Sequence, residues 1–266
     1  MLEQLLLNTR IHLLFFARNR LLMAFGVVML LLFCMTFLPM LLLETSSDRF
    51  NTLRAITSQM SGYALVFVAT LGLFAVSSHL RNRNVKLVLT KPCLPEIWLA
   101  SIFLSASLVA AAIYALWALV AASLSWAWDI PWQWGFVFVA LDGACCALIQ
   151  MALLTCLATA FHPVVAVLIA LFFNEGIFYQ LKYLVAGAVA ADAKPWLVVA
   201  SVACDTLYMM MPMVHPLSNR TEAVHATLRV SGSDWLNLVG VLGYTALITA
   251  FFFVASDYLL RRKSLA

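Results

Sequence analysis

The chain has 266 residues, of which 64% are hydrophobic and only 11% are charged, and its formal net charge is +4. A soluble domain of this length needs a polar surface that such a composition does not supply, so we expect lipid to surround much of the chain. The small net charge argues against nucleic-acid binding, and no linker-like or repetitive stretch divides the sequence. We predict a single membrane domain over residues 1–266.

Six apolar segments are long enough to cross a bilayer. The hydrocarbon core is ~30 Å thick, which takes about 20 helical residues at ~1.5 Å per residue. In chain order the segments are Leu21–Leu43, Met60–Leu80, Ile97–Trp126, Gly135–Phe161, Val164–Ala191 and Leu236–Leu260. The predicted fold is therefore an all-α integral membrane protein with six transmembrane helices.

Two further segments are apolar but do not fit a span. Residues 1–20 mix apolar and basic side chains, which predicts an interfacial helix on membrane lipid; the alternative is an ordinary basic flank of the first span. Trp196–Met213 contains Asp205 and Pro212. A seventh span there would move the basic tail to the outer side. We therefore predict a re-entrant or interfacial element within an external segment, 192–235, before the last span.

The basic residues orient these spans. With six spans, ten lysines and arginines fall on the side of the two termini and six on the other side. Because Lys and Arg are enriched in cytoplasmic loops, we expect both termini in the cytoplasm. Most tryptophans lie at the predicted outer boundaries, as in an aromatic belt: Trp126, Trp128, Trp132, Trp134, Trp196 and Trp235. The six cysteines show no metal-ligand spacing, so we expect no metal site.

The predicted cytoplasmic loop between the second and third spans, residues 81–96, has a pattern of its own. Basic residues precede an apolar ridge, and a proline ends it: Arg83, Lys86, Leu87, Val88, Leu89 and Pro92. A short amphipathic helix that projects from a membrane protein lies on lipid or docks in a groove of a partner. A solvated positive loop, the alternative, would not need the apolar ridge.

This loop resembles the signature of ABC-2 type transporter permeases, in which a basic cluster leads into a Leu-Leu-(Ser/Thr)-x-Pro stretch and then the third span. The matching residues are Arg83, Lys86, Leu87, Leu89, Thr90 and Pro92. The order of parts and the basic tail after the last span are also similar. The resemblance implies a homodimer in a bacterial cytoplasmic membrane, with residues 81–96 as the coupling loop to a separate ATP-binding cassette subunit.

The same resemblance implies an exporter rather than an enzyme, with an amphiphilic, saccharide or drug-like substrate. The sequence contains no G-x-x-x-x-G-K-[ST] loop, so ATP and Mg²⁺ would bind to the partner subunit and this chain would carry no cofactor. Two alternatives are a membrane-embedded enzyme and a non-transporting membrane scaffold. The sequence contains neither an H-E-x-x-H nor a G-x-S-x-G motif that would support a membrane-embedded enzyme.

Polar side chains inside the predicted spans are candidates for the translocation pathway, because charge in lipid is costly. Asp142 and Gln150 share one face of the fourth span, and Glu175, Tyr179 and Lys182 share a face of the fifth. Asp142 and Lys182 lie at similar depths and could form an ion pair. Two roles stay open for all five residues: lining the path of a substrate, or pinning neighbouring helices together.

Overall fold

The computed structural model describes residues 2–42, 49–81, 95–131, 133–172, 175–191, 194–210 and 229–265. Within these ranges the chain is helical and contains no strand, which confirms the all-α prediction. The helices described are α1 (Leu2–Arg18), α2 (Arg20–Leu42), α3 (Arg49–Arg81), α4 (Pro95–Ala127), α5 (Gly135–Ala160), α6 (Pro163–Phe172), α7 (Glu175–Ala191), α8 (Pro195–Met210) and α9 (Gly232–Leu265).

Four of these helices are long and apolar enough to cross a membrane, over Arg49–Ser77, Glu96–Ala127, Gly135–Ala160 and Gly232–Arg262. The count rises to five if α1 and α2, which meet at 61°, form one bent span. The chain is thus a multi-pass protein with four to five helices of sufficient length. The fifth predicted span, Val164–Ala191, is divided between α6 and α7, so the number six stays a prediction.

Helix α5 lies at the centre of the bundle and packs against α3, α4 and α9. A small residue allows α3 to approach it closely. A Cβ atom at Gly72 would overlap Thr155 Oγ1 and would lie 3.2 Å from the carbonyl oxygen of Met151. Small residues at helix crossings let two backbones pack directly, which is the main source of helix association in lipid.

Matched contacts show the relative directions of the long helices. Helices α5 and α9 are parallel, because Phe138 packs against Leu238 near their first residues, and Cys145 and Ile149, further along α5, pack against Val241, further along α9. Helix α4 runs the opposite way to α9, because Glu96 at its start pairs with Arg261 near the end of α9, whereas Phe103, further along α4, contacts the earlier residue Phe253. The Phe103 ring lies 5.6 Å from that of Phe253, between centroids, and is nearly perpendicular to it.

Helix α3 is parallel to α5 and antiparallel to α4. The Tyr114 hydroxyl donates to the Ser61 carbonyl oxygen at 3.3 Å, and one turn further along α4 the Trp117 Nε1 donates to that of Thr57 at 3.0 Å. Since α5 and α9 share one direction, the chain between Ala160 and Gly232 must return from one end of the bundle to the other. Helices α6, α7 and α8 lie in this returning segment, and α7 packs against α8.

Helix α1 packs against α4 and bends away from α2. Its buried face consists of Thr9, His12 and Phe16, while apolar side chains elsewhere on the helix, such as Leu7, are exposed. The bend occurs at Asn19, whose Oδ1 accepts hydrogen bonds from the first turn of α2, at 3.0 Å from the Leu21 nitrogen. Asn19 therefore acts as an N-cap that starts α2 in a new direction.

Candidate functional site

The six residues of the predicted coupling loop lie outside the described part of the chain: Arg83, Lys86, Leu87, Val88, Leu89 and Pro92. The prediction about their contacts therefore stays a prediction. The two helices that flank the loop are described, since α3 ends at Arg81 and α4 begins at Pro95.

The start of α4 is bound to the end of α9. Arg261 forms an ion pair with Glu96 in the first turn of α4, and its Nε donates to Asp257 Oδ2 at 2.8 Å. The Arg261 and Glu96 side chains are about half exposed, at 48% and 49%. Such exposed pairs contribute only ~0–1 kcal/mol to stability, so their main effect is to set the position of the two helix ends.

The next turn of α4 is bound to α1. Trp98 is buried, and its ring packs edge-on against His12, with centroids 6.2 Å apart. We call His12, Glu96, Trp98, Asp257 and Arg261 the loop base. It joins α1, α4 and α9 at the end of the bundle where residues 82–94 connect to α4.

Sequence reasoning missed the loop base, although part of it was readable. Asp257 and Arg261 have the i, i+4 spacing, with the acid first, that favours an ion pair on a helix. Nothing in the spacing indicates that Glu96, 165 residues earlier, completes the group. That contact exists only because α4 and α9 pack antiparallel.

Asp142 lies where α3, α4 and α5 meet. Its side chain is buried at 6% exposure, and its neighbour Gly143 packs so tightly that a Cβ atom there would lie 2.6 Å from Ser61 Oγ and 2.8 Å from a Tyr114 ring carbon. Gln150, two turns further along α5, is partly buried. The burial of Asp142 inside one chain is compatible with helix pinning, and both roles of Asp142 stay predictions.

Lys182 pairs with a different partner from the one its depth suggested. Its Nζ lies 3.2 Å from Asp205 Oδ1 on α8 and 5.1 Å from the centroid of the Tyr208 ring, a cation–π distance. The Asp142–Lys182 ion pair is thus replaced by a contact within the α7–α8 hairpin. The depth comparison assumed a straight fifth span, whereas α7 packs mainly against α8.

For the remaining predicted site residues, the structure gives only the helix to which they belong. Glu175 and Tyr179 belong to α7, and their side chains lie outside the described part of the structure. Among the described residues, no group of three or more His, Cys, Asp and Glu side chains comes together in a way that could hold a metal ion. The features available for function are therefore the loop base, the Asp142 junction and the α7–α8 hairpin.

Comparison with known proteins adds no relative. No family model matches the sequence, and no curated protein matches it. The likeness to ABC-2 type permeases accordingly depends on the residues quoted for the loop and on the order of the helices.

Proposed function

We propose that this chain is the membrane-spanning subunit of an ATP-driven exporter of the ABC-2 type. Two copies pair with separate ATP-binding cassette subunits, which bind ATP and Mg²⁺. The complex resides in a bacterial cytoplasmic membrane, with both termini of this chain in the cytoplasm. Its substrate is amphiphilic, saccharide or drug-like, and the chain itself performs no covalent chemistry.

The loop base supports this proposal most directly. A force applied to a loop moves a helix bundle only if the ends of the loop are fixed to that bundle. Here the end of the loop and the start of α4 are held on two sides, by the ion pair of Glu96 with Arg261 and by the packing of Trp98 on His12. A push on Leu87–Leu89 from an ATP-binding subunit would therefore reach α4, α9 and α1 together.

Six crossings with both termini on one side are consistent with the directions of the helices. The returning segment between α5 and α9 needs an odd net number of crossings. Helices α6 and α7 have 10 and 17 residues, about 40 Å of helix at ~1.5 Å per residue, enough for one crossing. Helix α8, with 16 residues, reaches about 24 Å, short of the ~30 Å core, and suits a re-entrant element.

The charges orient this arrangement. The end of α9 carries Arg261 and Arg262 and lies beside the start of α4, so the basic tail and the basic loop 81–96 share one end of the bundle. By the enrichment of Lys and Arg on the cytoplasmic side, this end faces the cytoplasm. ATP-driven motion would then enter there and change the packing around Asp142 and along α7.

The test is whether an ATPase is retained through the loop. An affinity-tagged chain is purified in mild detergent from its native membranes, and the co-purifying ATP hydrolysis is measured. Leu87→Asp and the double variant Arg83→Glu/Lys86→Glu should reduce it about tenfold or more, since buried apolar anchors dominate such interfaces. Arg262→Glu is the matched control, because it removes a positive charge at the same end of the bundle without altering the loop.

Retention of the ATPase by wild type and Arg262→Glu, with loss in both loop variants, is the expected result. Wild-type protein that carries no ATP hydrolysis would instead favour a scaffold or a membrane-embedded enzyme. Full retention in the loop variants would show that another part of the chain binds the ATPase.

A further inference from the structure

An apolar cavity of about 380 Å³ lies inside the elbow between α1 and α2. Its walls come from four helices and include Phe16 of α1, Val27 of α2, Phe67 of α3 and Val109 of α4. All the residues that line it are apolar. The volume falls in the range of about 300–1,000 Å³ that is typical of ligand pockets in proteins.

The elbow itself keeps this cavity open. Asn19 caps α2, so α1 turns away by 61° instead of lying along α3. Gly26 contributes a wall without a side chain, and a Cβ atom there would lie 3.2 Å from the Phe67 ring. Half-exposed positions such as Val27 leave the cavity accessible from the surface of the bundle.

Two arginines stand at the elbow. Arg18 ends α1 directly after Ala17, which lines the cavity, and Arg20 begins α2 two residues before Leu22, which also lines it. Both arginines are exposed, and the ion pairs formed between described residues involve neither of them. An apolar groove with a cationic rim is complementary to a ligand that is apolar over most of its length and anionic at one end.

We propose that this elbow groove binds an anionic glycerophospholipid from the leaflet at which α1 lies. One acyl chain occupies the apolar cavity, and the phosphate lies between Arg18 and Arg20. Basic pockets between membrane helices bind anionic headgroups in this way, through charge-assisted hydrogen bonds from guanidinium groups. A neutral lipid or an apolar helix from a second copy would match the apolar walls, but neither would match the two arginines. This site is independent of the proposed transport function.

The first arm of the test fills the groove. The full-length chain is purified, exchanged into phosphatidylglycerol or phosphatidylcholine bilayer discs, re-extracted into mild detergent, and its retained lipid is quantified by mass spectrometry. Val27→Trp should abolish retention of phosphatidylglycerol. Val28→Trp is the matched control: the two valines are exposed to a similar degree, 53% and 50%, but Val28 does not line the cavity.

The second arm removes the charges and keeps the cavity. Arg18→Gln/Arg20→Gln lies on the surface and leaves the core intact. Each arginine near an anionic headgroup should contribute about fivefold to affinity, so the preference for phosphatidylglycerol over phosphatidylcholine should fall by roughly 25-fold. Arg10→Gln, on an exposed turn of α1 two turns before Arg18, should leave the preference unchanged.

Loss in Val27→Trp together with loss of preference in Arg18→Gln/Arg20→Gln supports the site. Equal retention of both lipids by wild type would overturn the anionic assignment. Retention by Val27→Trp equal to that of Val28→Trp would place the lipid elsewhere. Spontaneous disulfide cross-linking between two copies of Val27→Cys would show that a second copy, not lipid, fills the groove. Each of these results leaves the ATPase test of the transport proposal unaffected.

Discussion

Gly72 shows how a single residue controls the packing of this bundle. It lies in α3 against Met151 and Thr155 of α5. The Thr155 hydroxyl donates to the Met151 carbonyl oxygen at 2.7 Å, so it fills the space that a larger residue at position 72 would need. Lipid does not drive helices together as water does, so such close approaches contribute much of the stability of a membrane bundle.

We expect Gly72→Ala to lower the stability of the protein, because its methyl group overlaps Thr155 Oγ1. Overpacking a close contact costs about 1–3 kcal/mol, which a thermal unfolding scan in detergent would report as a lower Tm. The double variant Gly72→Ala/Thr155→Ala should recover part of the loss.

Gly240→Ala is the control, because a Cβ atom there meets nothing within 4 Å. It should unfold at or above the wild-type temperature, since alanine favours a helix over glycine. An equal Tm for Gly72→Ala and Gly240→Ala would contradict the packing described between α3 and α5.

For Lys182, the sequence predicts a location in the chain of spans but not the residue with which it pairs. Its position among apolar neighbours predicts a polar group inside the membrane, and that prediction needs only hydropathy. Its partner was not readable, because depth along a span says nothing about which helix faces it. The structure pairs Lys182 with Asp205, a residue that sequence reasoning had treated only as an interruption of an apolar segment.

At the scale of elements, the α7–α8 hairpin depends on its own contacts. The Lys182–Asp205 pair and the contact of Lys182 with Tyr208 join the two helices. Both charged side chains are more than a third exposed, at 37% and 44%, so solvent or lipid headgroups weaken the ion pair. Its contribution should be ~0.2–1 kcal/mol.

We expect the charge swap Lys182→Asp/Asp205→Lys to restore stability that either single substitution loses, because the reversed pair keeps the attraction. Thermal unfolding of the four proteins measures this directly. Lys182→Met and Asp142→Asn should give additive changes within about 0.3–0.5 kcal/mol, because the ion pair of Lys182 in the described part of the chain is with Asp205. If the changes for Lys182 and Asp142 are not additive and the charge swap recovers no stability, Lys182 pairs with Asp142 and not with Asp205.

The second span shows why an apolar segment in the sequence and the helix that contains it can differ in length. The apolar segment of the second span begins at Met60, but α3 begins at Arg49. A hydropathy pattern ends where lipid ends, whereas a helix continues as long as its backbone hydrogen bonds are satisfied. The start of α9 carries a signal that is readable in the sequence, a serine followed three residues later by an acid. The Ser231 backbone nitrogen donates to Asp234 Oδ2, as in one half of a capping box, and the Ser231 hydroxyl donates to the same oxygen.

At the scale of the whole molecule, the parallel arrangement of α5 and α9 determines the topology. The two helices begin together at Phe138 and Leu238, so whatever lies between them crosses the bundle an odd net number of times. The sequence predicted one crossing there, because Val164–Ala191 is long and apolar enough to span and the basic tail argued against a second span at Trp196–Met213. It did not predict that Val164–Ala191 would be divided, because counting apolar residues does not reveal where a helix breaks.

Reporter fusions test this topology. Alkaline phosphatase fused after Ile130 or Lys194 should be active, and green fluorescent protein fused after His162 or Arg262 should fluoresce. The physical reason is that the ends of α5 and α9 lie at the same end of the bundle. Opposite sides for His162 and Arg262 would contradict the parallel arrangement of α5 and α9 and would rule out six crossings.

At the same scale, the proposed function makes this chain the membrane subunit of an exporter whose ATP-binding subunit would be a separate protein. The most direct test is the native mass of the complex extracted from its own membranes by a tag on this chain. We predict two copies of the chain with two copies of an ATP-binding subunit, and the loss of only the ATP-binding subunits in Leu87→Asp. A wild-type complex that contains this chain and no ATP-binding subunit would contradict the account.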